Sequence, residues 1–192
     1  MNVLTFDAET HTYRVGEEVI PSVTQILKDV GLIDTSFFKP EHAERGTVVH
    51  AATQFFDETG MDDDTVPDDL LGYLEAWKKF REETGFTPSH IEQSLYSKQG
   101  YAGTVDRIGK THKINPILLD IKTGPPQPWH RLQLAAYALM SKHELNIPVW
   151  QSWGVHLTRD GKYSVETYKS IDDAADWLAC LRVYQLKQGE NK

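Results

Sequence analysis

Ile117-Leu118-Leu119-Asp120-Ile121-Lys122-Thr123-Gly124 is an apolar run that closes on a carboxylate and an ammonium two residues apart. Strand side chains alternate between faces, so Asp120 and Lys122 are expected together above Leu118, with Ile117, Leu119 and Ile121 opposite. That sets an acid and a cation side by side at the edge of a buried sheet. Burying either costs several kcal/mol unless it is paired or bound to a metal. Two readings follow: a structural ion pair, or part of a metal-dependent phosphodiesterase site.

Period-two segments surround this strand. Residues 90–96 and 101–108 precede it across short Gly-rich or polar turns, so 90–123 is expected to form an antiparallel meander. Gly124-Pro125-Pro126-Gln127-Pro128 cannot be helical, and an amphipathic helix is expected over 129–143. Strands at 149–157 and 162–168 flank the Arg159-Asp160-Gly161 turn, and a closing helix covers 171–187. Its early Asp172 and Asp173 suit the helix dipole. Upstream, 13–20 reads as a hairpin around Gly16, Ser22 as the N-cap of a helix ending before Gly31, and 40–59 and 70–84 as further helices. The expected fold class is α/β (α+β): a central mixed sheet with an antiparallel meander, flanked by helices. One domain is expected over 1–192, with the hairpin and helices of 1–84 packed on a core of 85–192.

The chain has 192 residues, 40% apolar and 25% charged. These are globular values, and no apolar run approaches the roughly 20 residues that span a bilayer. The start lacks the pattern of a signal or transit peptide, so a cytoplasmic location is expected. The one cysteine, Cys180, can form neither an internal disulfide nor a multi-cysteine metal site, and core packing is its expected role. The net charge of −8 confines any polyanion-binding groove to a local patch, because backbone affinity comes from Lys and Arg. Acids concentrate at Asp62-Asp63-Asp64, in a loop, and at Asp172-Asp173.

Three segments converge on Asp120 and Lys122. Gly103-Thr104-Val105-Asp106 places a second carboxylate on the neighbouring strand. Two such carboxylates repel unless a cation lies between them, and oxygen ligands favour Mg²⁺ or Mn²⁺; the plain alternative is a pair with Arg107 or Lys122. In Arg45-Gly46-Thr47-Val48-Val49-His50, a histidine stands among apolar helix residues, either as a hydrogen-bonded core group or as an imidazole ligand. Gly46 would let a strand or a substrate backbone approach closely. Trp129, Gln133 and Tyr137 share a helix face, and Gln133 is costly to bury without a partner.

The order Gly46-Thr47-x-x-His50, Gly103-Thr104-x-Asp106, Asp120-Ile121-Lys122-Thr123-Gly124, Gln133-Leu134-x-x-Tyr137 resembles the PD-(D/E)XK nuclease superfamily in its RecB-like, phage-type exonuclease branch. That branch includes CRISPR-associated exonucleases and the mitochondrial genome maintenance exonuclease. The resemblance implies Asp106, Asp120, Lys122, Gln133 and Tyr137 as catalytic residues. It also implies one or two Mg²⁺ or Mn²⁺ ions held by His50, Asp106, Asp120 and the Ile121 carbonyl, with Glu92 as a further ligand, an outer-shell group or a partner of Lys122. Candidate DNA contacts beside these motifs are Arg45, Arg107, Lys110, Lys113, Trp129, His130 and Arg131. No iron–sulfur cluster is expected without the cysteines, and no ATP site without a phosphate loop. The implied activity is a DNA exonuclease leaving 5′-phosphates, acting in recombination, repair or processing on a single strand or a free end. A recombinase, annealing protein or helicase is the kind of partner such an enzyme has. The alternatives are a structure-selective or restriction-like endonuclease and a noncatalytic DNA-binding subunit.

Overall fold

The computed structural model describes residues 3–190 apart from Glu9, Thr35, Phe37, Phe38 and Asp63; within the acidic run, Asp63 thus lies outside the described residues. A three-stranded antiparallel sheet opens the fold: β1 (Leu4–Asp7), β2 (Thr12–Val15) and β3 (Glu18–Ile20). The sequence reading found the β2–β3 hairpin and missed β1, a four-residue strand with no buried residue. Three helices follow: α1 (Val23–Asp29), α2 (Pro40–Thr59) and α3 (Leu71–Thr84). Ser22 caps α1 by accepting from the Gln25 amide, and Gly60 and Gly85 end α2 and α3 in the left-handed region at φ 72° and 65°.

The main sheet runs β4 (Thr87–Ser97), β5 (Tyr101–Lys110), β6 (Ile117–Lys122), β7 (Gln151–Leu157), β8 (Tyr163–Lys169), in that spatial order. The first three strands form the expected antiparallel meander. Helix α4 (His130–Glu144) then crosses over, so that β7 pairs parallel to β6 and makes the sheet mixed; α5 (Ser170–Glu190) closes the chain. Among the described residues, no helix is long and apolar enough to cross a membrane.

Two apolar layers sandwich the sheet. Ile117, Leu119 and Ile121 pack with Trp77, Phe80 and Phe86 below α3, while Leu118 faces the layer of α4 and α5 with Leu134, Ala135 and Trp177. The alternation expected for β6 is therefore present, and Asp120 and Lys122 fall on the α4 face. Cys180 is half-buried against that layer. The N-terminal sheet is stitched to β5 by the Ala102 amide donating to the Pro21 carbonyl at 3.0 Å and by a 2.8 Å hydrogen bond between the Tyr13 and Thr104 hydroxyls.

Candidate active site

The β5–β6 ladder pairs Gly109 with Ile117, Ile108 with Leu118 and Arg107 with Leu119, and stops there. Beyond it the Ile121 amide donates to Asp106 Oδ2 at 2.6 Å, so a carboxylate takes the place of a strand carbonyl. This opening in the ladder is where the titratable groups gather. Asp120 is buried, and its Oδ2 lies 2.5 Å from Lys122 Nζ yet accepts no hydrogen bond. The two residues form the ion pair that was one of the two readings of their spacing.

From α2, His50 Nε2 donates to the Ile121 carbonyl at 3.0 Å, and its Nδ1 lies 3.6 Å from both Glu92 Oε1 and Asp106 Oδ1. Burial opposes charge on this imidazole, but Asp106, Glu92 and Asp120 outweigh it and raise its pKa to about 9. Burial, helped by Asp120 and Glu92 and opposed by His50, pushes the Asp106 carboxyl up to about 7. Glu92 moves the other way: burial would raise it, and the contacts with His50 and Arg107 bring it below its usual value. Glu92 also holds a left-handed backbone, φ 46°, a conformation that costs an acyclic side chain roughly 1–3 kcal/mol.

Ligand atoms of His50, Glu92 and Asp106 all lie within 4.8 Å of one another, a spacing that suits one cation. The Ile121 carbonyl is bonded to His50 of this group, and the Asp120 carboxylate, paired with Lys122, is near enough to act electrostatically on both His50 and Asp106. Hard carboxylate and carbonyl oxygens with a single imidazole fit Mg²⁺ or Mn²⁺ better than a thiophilic metal.

Helix α4 supplies the support. Lys122 Nζ donates to Gln133 Oε1 at 3.0 Å, and Gln133 Nε2 donates to the Tyr137 hydroxyl at 3.0 Å. That accounts for the buried glutamine. Burial and the nearby Asp120 keep the Tyr137 phenol well above its ordinary pKa. Gly103 makes room for this residue: a Cβ there would lie 2.6 Å from the Tyr137 ring. Trp129, at the start of α4, lies with its ring centroid 5.3 Å from Lys122 Nζ.

A cleft of about 1250 Å³ opens above these groups, between α1, the first half of α2 and the Thr123–His130 segment. Arg45, Lys122 and Trp129 line it. So do Lys28 and His42, which sequence reasoning missed; they sit far from the motifs along the chain, and only the packing of α1 and α2 brings them in. Gly46 also lines the cleft, and a Cβ there would meet nothing within 4 Å, so no strand approaches it and the space belongs to the opening.

The other candidate contacts lie elsewhere. Arg107 is fully enclosed, its side chain bonded to Asp57 and Glu92, so it has no surface to offer a phosphate. Glu92 is thereby the partner of Arg107 rather than of Lys122. His130 borders the cleft, but burial, Lys122 and His156 lower its pKa to about 3, leaving a neutral ring that accepts from the Gln127 amide. Arg131 is committed to Asp173 and Asp176 of α5. Lys110, the last residue of β5, and Lys113, in the connection that follows it, are exposed and do not line the cleft.

The sequence profile of the PD-(D/E)XK nuclease superfamily matches residues 70–188, more than half of the chain. The chain belongs to the PD-(D/E)XK nuclease superfamily. Its activity class is that of a nuclease, and the mixed sheet with flanking helices is the superfamily core. A solved structure of a Eubacterium rectale protein described as a candidate exonuclease is similar at 12% identity and a TM-score of 0.46, over 86% of this chain and 74% of that one. No curated protein matches. The PD-(D/E)XK match covers Asp106, Asp120, Lys122, Gln133 and Tyr137; His50 lies ahead of it on α2.

Proposed function

We propose that this PD-(D/E)XK protein is a Mg²⁺- or Mn²⁺-dependent DNA exonuclease that hydrolyses phosphodiester bonds to 5′-phosphate products during recombination, repair or DNA processing in a bacterium or phage. The reading rests on the cluster of His50, Glu92 and Asp106 beside the Asp120–Lys122 pair, with His50 and Lys122 opening onto one cleft. The exonuclease subdivision and the 5′-phosphate product rest on the resemblance of the ordered motifs to the RecB-like branch. His50, Asp106, Asp120 and the Ile121 carbonyl, with Glu92, would hold the ion. When bound it supplies Lewis-acid stabilisation of phosphoryl charge and a more acidic water.

The remaining chemistry belongs to the chain. Lys122, held between Asp120 and Gln133, keeps its ammonium at a fixed point beside the carboxylates, where it can orient the attacking water and donate to a phosphate oxygen. Gln133 is itself fixed through Tyr137, so α4 sets the lysine's direction. Trp129 offers a ring for a base to stack on, and Lys28 and Arg45 offer cations to the backbone. The whole unit, 1–192, acts as one domain, because the cleft takes one wall from the N-terminal helices and the other from the core.

The test uses wild-type, Asp120→Ala and Lys122→Ala proteins with end-labelled linear and closed circular DNA, single- and double-stranded, in Mg²⁺, Mn²⁺ or chelator. Loss of cleavage in chelator and a drop of roughly 10²–10⁴-fold in Lys122→Ala are expected. Cleavage that survives chelation or both substitutions would sink the assignment. Cutting of closed circles would replace the exonuclease with an endonuclease.

A further inference from the structure

Asp57, on α2, belongs to none of the motifs and does not border the cleft, yet its side chain is fully enclosed. It accepts from Arg107 Nε at 2.6 Å, Arg81 Nη1 at 2.6 Å and Trp77 Nε1 at 3.0 Å. Arg107 passes the connection on: its Nη1 donates to Glu92 Oε1 and to the Asp106 carbonyl, both at 2.7 Å, and its Nη2 to Thr53 at 3.2 Å. Both hydrogens of Nη1 are thus committed to the two strand residues that carry candidate ligands. A guanidinium enclosed in protein needs a carboxylate. With Asp57 in place, Glu92 is not required to supply all of that compensation. With Asp57 neutralised, Glu92 would be the remaining anion bonded to Arg107, drawn towards it and away from His50.

We infer that Asp57 is a positioning residue for the cation site, acting through Arg107 to hold the Glu92 carboxylate beside His50 and leave it able to bind metal. The inference rests on the metal-dependent reading above. It adds a residue that touches neither ion nor DNA and whose substitution is read as cation affinity.

The experiment is a calorimetric titration of the full chain with MnCl₂ in the absence of DNA, for wild type, Asp57→Asn, Glu92→Gln and the double variant. Circular dichroism reports whether each is folded. Asp57→Asn is expected to weaken Mn²⁺ binding by roughly 10- to 100-fold, the usual effect of losing a group behind a metal ligand. In the Glu92→Gln background the same change is expected to add no further loss, because the residue it acts on has gone. Equal Mn²⁺ affinity in Asp57→Asn and wild type would overturn the inference while leaving the metal reading intact. An undiminished loss in the Glu92→Gln background would also overturn it, since a merely structural effect adds. Absence of Mn²⁺ binding in wild type would remove the metal reading and this inference together. If Asp57→Asn does not fold, Arg107→Lys serves instead: it keeps the charge but lacks the planar fork that bridges Asp57 and Glu92, and the same weakening, again absent beside Glu92→Gln, is expected.

Discussion

His50 sits between a carbonyl and two carboxylates, and its pKa of about 9 makes it an imidazolium at neutral pH. A metal ligand must be a neutral imidazole, so a bound cation displaces that proton. Mn²⁺ affinity is therefore expected to rise from pH 7 to about 9, by up to about tenfold per pH unit, and then to level off. Asp106, held up to about 7, releases its own proton near the start of that range. Calorimetry in buffers of different ionisation enthalpy counts the released protons, and a pH-independent Kd would contradict the assignment. In the metal-free protein the same His50 shift contributes stability that is complete below pH 6.5 and fades as the pH rises through about 9. Gln133→Leu is expected to lower turnover by roughly 10²-fold with Mn²⁺ affinity unchanged, because it unseats Lys122 and leaves the carboxylates in place. The motif residues could be singled out in the sequence because their types and order carry chemistry. Arg107 was misread because its carboxylate, Asp57, lies 50 residues earlier, and no local pattern links the two.

The helices, and the strands other than β1, were found through their periods, and the ends expected at 59 and 84 are each followed by a left-handed glycine, Gly60 and Gly85. The parallel pairing of β6 with β7 was not legible, since it depends on where a 15-residue helix returns the chain. Glycines within helices are instructive for the same reason. Gly46 in α2 faces open cleft, so Gly46→Ala should stabilise the fold by about 0.5–1 kcal/mol in urea unfolding, through the helix alone. Gly72 in α3 lies against the backbone of Arg159 in the β7–β8 turn, and Gly72→Ala should cost about 1–3 kcal/mol as the two segments part. Opposite signs for the same substitution in two helices are the outcome to look for. A large residue at Gly46 tests the cleft itself: Gly46→Phe should leave unfolding close to wild type while weakening DNA binding.

Over the whole molecule the charge is −8, and the cations that border the cleft are few, chiefly Lys28, Arg45 and Lys122. Three phosphate contacts to a single strand imply a log–log salt slope of about −2. Fluorescence anisotropy with a labelled oligonucleotide, titrated over salt at fixed Mg²⁺, measures it, and a slope beyond −5 would reveal another basic surface. The net charge, read from sequence as confining any groove to a patch, agrees with this placement. What sequence could not supply was the identity of the second wall, because Lys28 and His42 reach the cleft only through the packing of α1 and α2. The Asp57–Arg107 contact carries a last consequence, for inheritance. The superfamily match begins at residue 70, and a graft of 70–188 into another protein would bring Asp106, Asp120 and Lys122 with it. It would also bring the sealed Arg107 guanidinium with Glu92 and leave Asp57, the fully enclosed one of its two carboxylate partners, behind on α2. A graft that keeps this guanidinium paired as it is here takes α2 and the β4–β6 meander together, a unit larger than the motif that names the superfamily.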